Sequence, residues 1–514
     1  MKTSIVFGKY LIVNWETVLA DGAVYVENGR IVDVGKYTDL KQRHTCDQEI
    51  GSPEHIVMPG FVNAHNHGKG ITDFQRGHLD DTLETWKFRS YPGVDPALDS
   101  RWAAIKQLEA GVTTTMHNHD LVDPHNPEGE FSAVVEAYKS SGLKVAFAPT
   151  IANRNWFVYG DNETFVQSLP AELQGICRAR MERSKIFGPA EYMAAVDSLG
   201  ADYGRDVQVK IMHGPISPQW VDEGTLKAIK ADADKKNLRI HIHVQQTKLQ
   251  NLYGYTQYGT SLLGYLDSIG FLDERVTIGH AVWISEKDID LLAARGVSVT
   301  HHASCNLRVR NGISPVFELL KAGVQVGIGM DDKEFGDDKD YIEEMRLISK
   351  LHRLPSHRLD SAHLQPKEVF RMATEYGAKT LGWENEVGSL HKGKRADIVL
   401  LDAGRISEPF VSPTQSAIDL VLYRAGTRDV DMVMADGRLV VEQGKAIHVD
   451  RGALVAELRA SLPCDYAREL EQRNRELKAL RPYIAEWFAG WYNEMEAFEG
   501  KPFYHMNDRG GTLK

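Results

Sequence analysis

Six short stretches of the chain carry histidine or aspartate at or next to their ends: "AHNH" (His65, His67), "MHNHD" (His117, His119), "HIHV" (His241, His243), "IGHA" (His280), "THHA" (His301, His302) and "GMDD" (Asp331, Asp332). Neutral imidazole and carboxylate are good ligands for a borderline divalent ion such as zinc or ferrous iron. Residues two apart on a strand point to the same face, so His65 and His67 can grip one ion together. A single HxH in a strand is ordinarily a half-exposed pair of histidines. Four strand ends carrying His or Asp in one fold favour a metal.

Each stretch lies at the end of a short run rich in apolar and β-branched residues. The runs are 56–65, 111–118, 143–150, 207–214, 238–244, 276–281, 297–303 and 324–331. Amphipathic stretches such as 222–236 and 286–296 lie between the later ones. Strand–helix alternation predicts a parallel sheet, and eight strands close a (β/α)8 barrel of the TIM type. In such barrels the active site forms at the C-terminal ends of the strands. That is where these histidines and aspartates fall.

Hairpin-rich segments occur at both flanks, "GAVYVENGRIVDVG" early and "DVDMVMADGRLVVEQGKAI" late. They predict a small β-sandwich domain assembled from residues 1–58 and 386–450 around a barrel at 59–385. Residues 451–514 read as a charged helical extension whose Leu, Ile, Trp and Phe stripe packs on the body or on a second subunit. A homo-oligomer is therefore expected.

Bulk properties narrow the class. An apolar content of 42% permits a full core in this 514-residue chain, and a net charge of −11 disfavours nucleic-acid or anionic-membrane surfaces. Cys46, Cys177, Cys305 and Cys464 lie far apart with no CxxC pair, which fits a reducing compartment. The N-terminus lacks signal-peptide features, and no window approaches about 18 consecutive apolar residues. A soluble cytoplasmic protein acting on a small molecule is expected. No phosphate-binding loop is present, because "GVQVGIGMDD" lacks a full GxGxxG.

The ordered motifs "MPGFVNAHNH", "RGHLDDTLETW", "EAGVTTTM", "IHIHVQQT", "TIGHAVWIS", "THHASCNLRVRNGISPVFELLKAGVQVGIGMDD" and "GSLHKGKRADIVLLD" resemble the amidohydrolase superfamily. The branch is that of triazine hydrolases, guanine deaminases and phenylurea hydrolases. The resemblance implies that His65, His67 and His243 are metal ligands, with His241 the weaker candidate. It implies that Asp331 touches both metal and bound water and shuttles the proton. It gives His280 a role at the substrate or the attacking water, and leaves Asp332 a structural one. No residue matches the bridging lysine of dinuclear relatives, so one divalent ion is expected, zinc before iron.

There are departures from the family pattern. Its deaminases read HxxE on the fifth strand, whereas this chain has Gln246. A carboxamide cannot pass a proton at neutral pH, and deamination of an aromatic ring needs a ring nitrogen protonated. The sequence therefore favours hydrolysis of an amide, lactam or urea, with Gln246 orienting the substrate. The alternative is an aminohydrolase of a purine, pterin or triazine, and a non-catalytic metal-binding barrel ranks below both. "HHASCN" places Cys305 near the barrel mouth, as a packing residue rather than a nucleophile. His117 and His119 are expected to line the substrate pocket, and "WKFRSYP" (86–92), led by Trp86, to add aromatic surface.

Overall fold

The computed structural model describes residues 3–86, 88, 93–353 and 362–491. Most of the "WKFRSYP" stretch (Lys87 and Arg89–Pro92) lies outside the described residues. Eight parallel strands, numbered here β1–β8, form one sheet in strict chain order. They are β1 (Phe61–Asn63), β2 (Val112–His119), β3 (Lys144–Ile151), β4 (Val209–Pro215), β5 (Arg239–Val244), β6 (Val276–His280), β7 (Ser298–His301) and β8 (Val326–Ile328). Backbone bonds from Ala64 N to Ile328 O and from Met330 N to His65 O join the last strand to the first. The Tyr341 hydroxyl donates to the carbonyls of both Val62 and Ile328, at 2.7 and 3.1 Å. The sheet thus curls into a nearly closed barrel.

Helices return the chain between strands, and local chemistry sets their ends. The helix Glu223–Lys236 starts at Asp222, whose carboxylate accepts from Thr225 N, and stops at Asn237 in the left-handed region (φ 54°). Both are favoured residues for those positions. Helix Glu286–Arg295 begins with a capping box between Ser285 and Asp288 and ends at Gly296.

The flanks build one mixed nine-stranded sheet. Its N-terminal part ends in the long strand Gln48–Pro59, which pairs parallel with Thr3–Ile12 and antiparallel with Ile398–Asp402. The run 56–65 is therefore shared: Ile56–Pro59 belong to the flank sheet, and only Phe61–Asn63 enter the barrel. Gly60 makes the pivot, because a Cβ there would collide with the Thr113 side chain. Lys144, fully buried at the start of β3, bridges Asp397 (2.7 Å) and Asp436 (3.0 Å) and ties the barrel to this sheet.

Two C-terminal helices, Arg451–Ser461 and Tyr466–Ala489, lie against the barrel. Leu480, Ile484 and Phe488 recur at four-residue spacing and are buried, each worth about 1.5–3 kcal/mol of apolar burial. No described helix is long and apolar enough to cross a membrane.

Candidate active site

The barrel mouth gathers side chains from β1, β5, β6, β7 and β8. Three of the positions involved hold unusual backbone: His280 (φ 70°), Asp331 (φ 56°) and Asp332 (φ 50°) occupy the left-handed region. Such residues cost about 1–3 kcal/mol each and persist where the surroundings hold them. Asp331 N donates to His65 O at 3.0 Å, which locks the ends of β1 and β8 together.

The Asp331 carboxylate is the hub. Its Oδ1 lies 3.2 Å from His65 Nε2 and 3.2 Å from His67 Nε2. Its Oδ2 lies 3.5 Å from His302 Nδ1 and 3.7 Å from His280 Nε2. Asp332 faces another way: Oδ2 accepts from His67 N and Lys69 N, both at 2.8 Å, and Oδ1 pairs with Lys339 at 2.5 Å. It staples the HxH turn to the end of β8.

The ligand atoms of His65, His67 and His243 all lie within 4.8 Å of one another, as do those of His65, His302 and Asp331. His67 Nδ1 faces Asn118 O at 2.9 Å, and His243 Nδ1 faces Ile216 O at 2.8 Å. A carbonyl only accepts, so each Nδ1 carries the proton and each Nε2 presents a lone pair. His243 Nε2 then sits 3.3 Å from His65 Nε2. Neutral nitrogens converging on a carboxylate suit a shared divalent cation, and carbonyl-held outer nitrogens are the usual support for such ligands. The donor set fits zinc or ferrous iron.

Protonation follows these surroundings for His65, His243 and His280, and His67 is the exception. Burial drives His65 and His280 well below the ordinary histidine range and His243 down to about 4. Burial also opposes ionisation of Asp331, but hydrogen bonds from His302, His65 and His67 outweigh it and hold the carboxyl well below its usual range. For His67 burial is again the largest influence, yet Asp331 and Asp120 outweigh it and raise the ring. A cation at His67 Nε2 would take the place of that proton.

Above the cluster opens a cavity of about 520 Å³, lined by His67, His243, His280, Asp331 and Gln246. This falls within the range of small-molecule sites. Trp86, His117 and His119 also line it. His119 Nδ1 and His117 Nε2 are 3.2 Å apart, and His119 Nε2 meets Glu130 at 2.7 Å. Trp86 donates to Asp73 at 2.9 Å and lies beneath the ammonium groups of Lys69 and Lys333, 4.9 and 4.4 Å from its ring centre.

The two glutamines of "HIHVQQT" separate in role. Gln245 takes a left-handed backbone (φ 52°) and bonds Trp283 O at 2.6 Å and Leu263 N at 3.2 Å, which holds the loop. Gln246 reaches the cavity wall, and its carboxamide bonds no other described residue. His241 stacks on His65 with ring centres 4.6 Å apart, and neither of its nitrogens is hydrogen-bonded. It lies outside both ligand groups. Cys305 borders the cavity, but its thiol is buried and pushed well above the usual range, which suppresses the thiolate a nucleophile needs.

Several residues of the site were given no role by sequence reasoning. Trp156 and Trp220 add two aromatic walls, and no local pattern marks them. His302 stacks on His65 at 4.5 Å and approaches Asp331. The doubled histidine of "THHA" was its only signal.

Comparison with known proteins places this geometry. The 5-methylthioadenosine/S-adenosylhomocysteine deaminase of Thermodesulfovibrio yellowstonii is 28% identical over 470 residues, covering 88% of this chain and 97% of that protein. A zinc-bound crystal structure of an adenosine deaminase from Xanthomonas campestris superposes with a TM-score of 0.75 at 25% identity, covering 91% of this chain and 98% of that one. A triazine hydrolase variant shares the fold with a TM-score of 0.74 at 21% identity, covering 90% of this chain and 100% of that one. A short match to the bacterial imidazolonepropionase-like composite domain covers residues 22–45 in the flank sheet. The family model for the amidohydrolases spans residues 56–440, every barrel strand and cluster residue included, and the chain belongs to that family of enzymes acting on non-peptide carbon–nitrogen bonds.

Proposed function

We propose that this protein is an aminohydrolase releasing ammonia from an adenine-type nucleoside. The observation that carries the reading is the near-complete coverage of a methylthioadenosine/S-adenosylhomocysteine deaminase by this chain. A cavity walled by Trp86, Trp156 and Trp220 above the His/Asp cluster supports it, since indole faces suit a flat heterocycle. This favours the deaminase alternative over the amide or urea hydrolysis that Gln246 suggests.

We assign one zinc ion to His65, His67 and His243, with Asp331 beside it. A divalent cation held there supplies a nucleophilic water at neutral pH. Asp331 is ionised and accepts the water's proton as the oxygen adds to the amino-bearing carbon. It returns that proton to the departing nitrogen, so ammonia leaves as the C–N bond breaks. Asn306 Oδ1 lies 3.0 Å from His280 Nδ1 and also accepts from Asn311. It therefore holds the proton on His280 Nδ1 and leaves Nε2 as an acceptor toward the reacting water. Gln246 donates a hydrogen bond to the ring nitrogen and stabilises the charge that builds there as the oxygen adds. With no acid at that position, the nitrogen gains its proton from the hydroxyl of the adduct as ammonia leaves.

The second reading, hydrolysis of an amide or urea, rests on Gln246 alone. Zinc-loaded enzyme incubated with adenosine and 5-methylthioadenosine should release ammonia, with the absorbance change of the base as a second signal. Anilides and phenylureas form the opposing panel. Aniline release with no ammonia from either nucleoside would replace the first reading with the second.

A further inference from the structure

The C-terminal helices lie beyond the residues that define the family match, which end at 440, yet they grip the first long loop of the barrel. The Tyr466 hydroxyl donates to Arg76 O at 3.1 Å. Arg481 makes a two-pronged pair with Asp81, one prong at 2.8 Å, and the Asp81 side chain is 7% exposed. Leu470 packs so closely on Gly77 (φ +90°) that a side chain there would collide with it. Phe488 meets Tyr159 edge-on at 5.4 Å. The Tyr159 hydroxyl donates to Glu84 at 3.1 Å, and Thr247, next to Gln246, donates to the same carboxylate at 2.6 Å.

The gripped loop forms part of the substrate cavity. Arg76, Leu83 and Trp86 line it, and Glu84 sits in the same short helix, Leu83–Trp86. A four-residue helix has almost no stability of its own, so its position depends on what it packs against. The terminal helix supplies contacts at 77, 81 and, through Tyr159, 84.

We propose that the C-terminal extension is a built-in wall support for the substrate site, with Arg481 as a positioning residue. Through Asp81 it sets Leu83 and Trp86 against the substrate without touching the reacting atoms. The kinetic part of this proposal rests on the nucleoside-deaminase reading. The structural part does not.

The test compares Arg481→Met, Arg481→Lys and Tyr466→Phe with wild type, all as full-length zinc-loaded enzyme. For Arg481→Met, KM for 5-methylthioadenosine should rise about five- to twentyfold while kcat stays within about twofold and zinc content is unchanged. Arg481→Lys, which keeps the charge, should recover most of the loss. Amide hydrogen exchange across residues 71–86 should quicken about tenfold in Arg481→Met, with the barrel strands unaffected. Tyr466→Phe, a change of one oxygen, should show the same pattern more weakly and serves where Arg481→Met fails to fold. Wild-type KM together with wild-type exchange in folded variants overturns the proposal. Should wild type release no ammonia from the nucleoside, the functional reading fails, and exchange over 71–86 alone decides the support.

Discussion

Gln246→Ala and Gln246→Glu test the chemistry of the fifth strand most directly. The Gln246 carboxamide lines the cavity and bonds no other described residue, so its hydrogen-bonding capacity is free for substrate. Removing one such bond costs about 1–3 kcal/mol. Gln246→Ala should therefore lower kcat/KM for the nucleoside by about 5- to 150-fold, with zinc content and melting temperature nearly unchanged. Gln246→Glu adds the missing transferable proton. At a position 5% exposed, burial raises a carboxyl pKa and keeps part of it protonated near neutral pH. General acid catalysis is worth about 10²–10⁴-fold, so Gln246→Glu should accelerate ammonia release, more at about pH 6 than at about pH 8. The assay is steady-state ammonia release with adenosine and 5-methylthioadenosine across that pH range. If Gln246→Ala keeps wild-type kcat/KM and Gln246→Glu gives no gain at the lower pH, the residue neither faces the ring nor lacks only a proton, and the reasoning fails.

Other outcomes follow from the same geometry. His67→Ala and His243→Ala should each lose most bound zinc by elemental analysis while the far-ultraviolet spectrum stays that of the wild type; full metal retention in both would remove them from the ligand set. Asp331→Asn should depress turnover by about 10²–10⁴-fold, the span of a lost acid–base group, and near-normal turnover would move the proton shuttle elsewhere. Glu344 is buried against Ser304, and burial lifts its carboxyl from 4.5 to about 7. The unfolded chain ionises at the lower value, so stability falls as pH climbs from about 4.5 to about 7, by on the order of 3 kcal/mol. Glu344→Gln removes that loss and should gain melting temperature over wild type at about pH 8 but little at about pH 5; an equal difference at both pH values contradicts the assignment.

The eight strand runs, the HxH pair and the aspartate of "GMDD" were legible because strand periodicity and turn residues are local properties. An alternation of two places His65 and His67 on one face whatever surrounds them. Local pattern could not say which of two neighbouring residues turns inward where a strand ends. His301 faces away, 3.1 Å from His352, while His302 stacks on His65. Gln245 braces the loop while Gln246 lines the cavity, because the chain takes a left-handed step at Gln245. Trp156 and Trp220 reach the cavity from separate loops, each in surroundings that resemble any surface segment.

What the sequence determined by itself was therefore the barrel, its flanking sheet and the chemical type of the site. The tertiary structure alone decided which side chains converge, and it set the terminal helix on the first long loop, which lines the cavity. Arg481 and Asp81 lie 400 residues apart. No local preference encodes such a contact, because it exists only once the folded barrel has brought its first long loop and the C-terminal helix together.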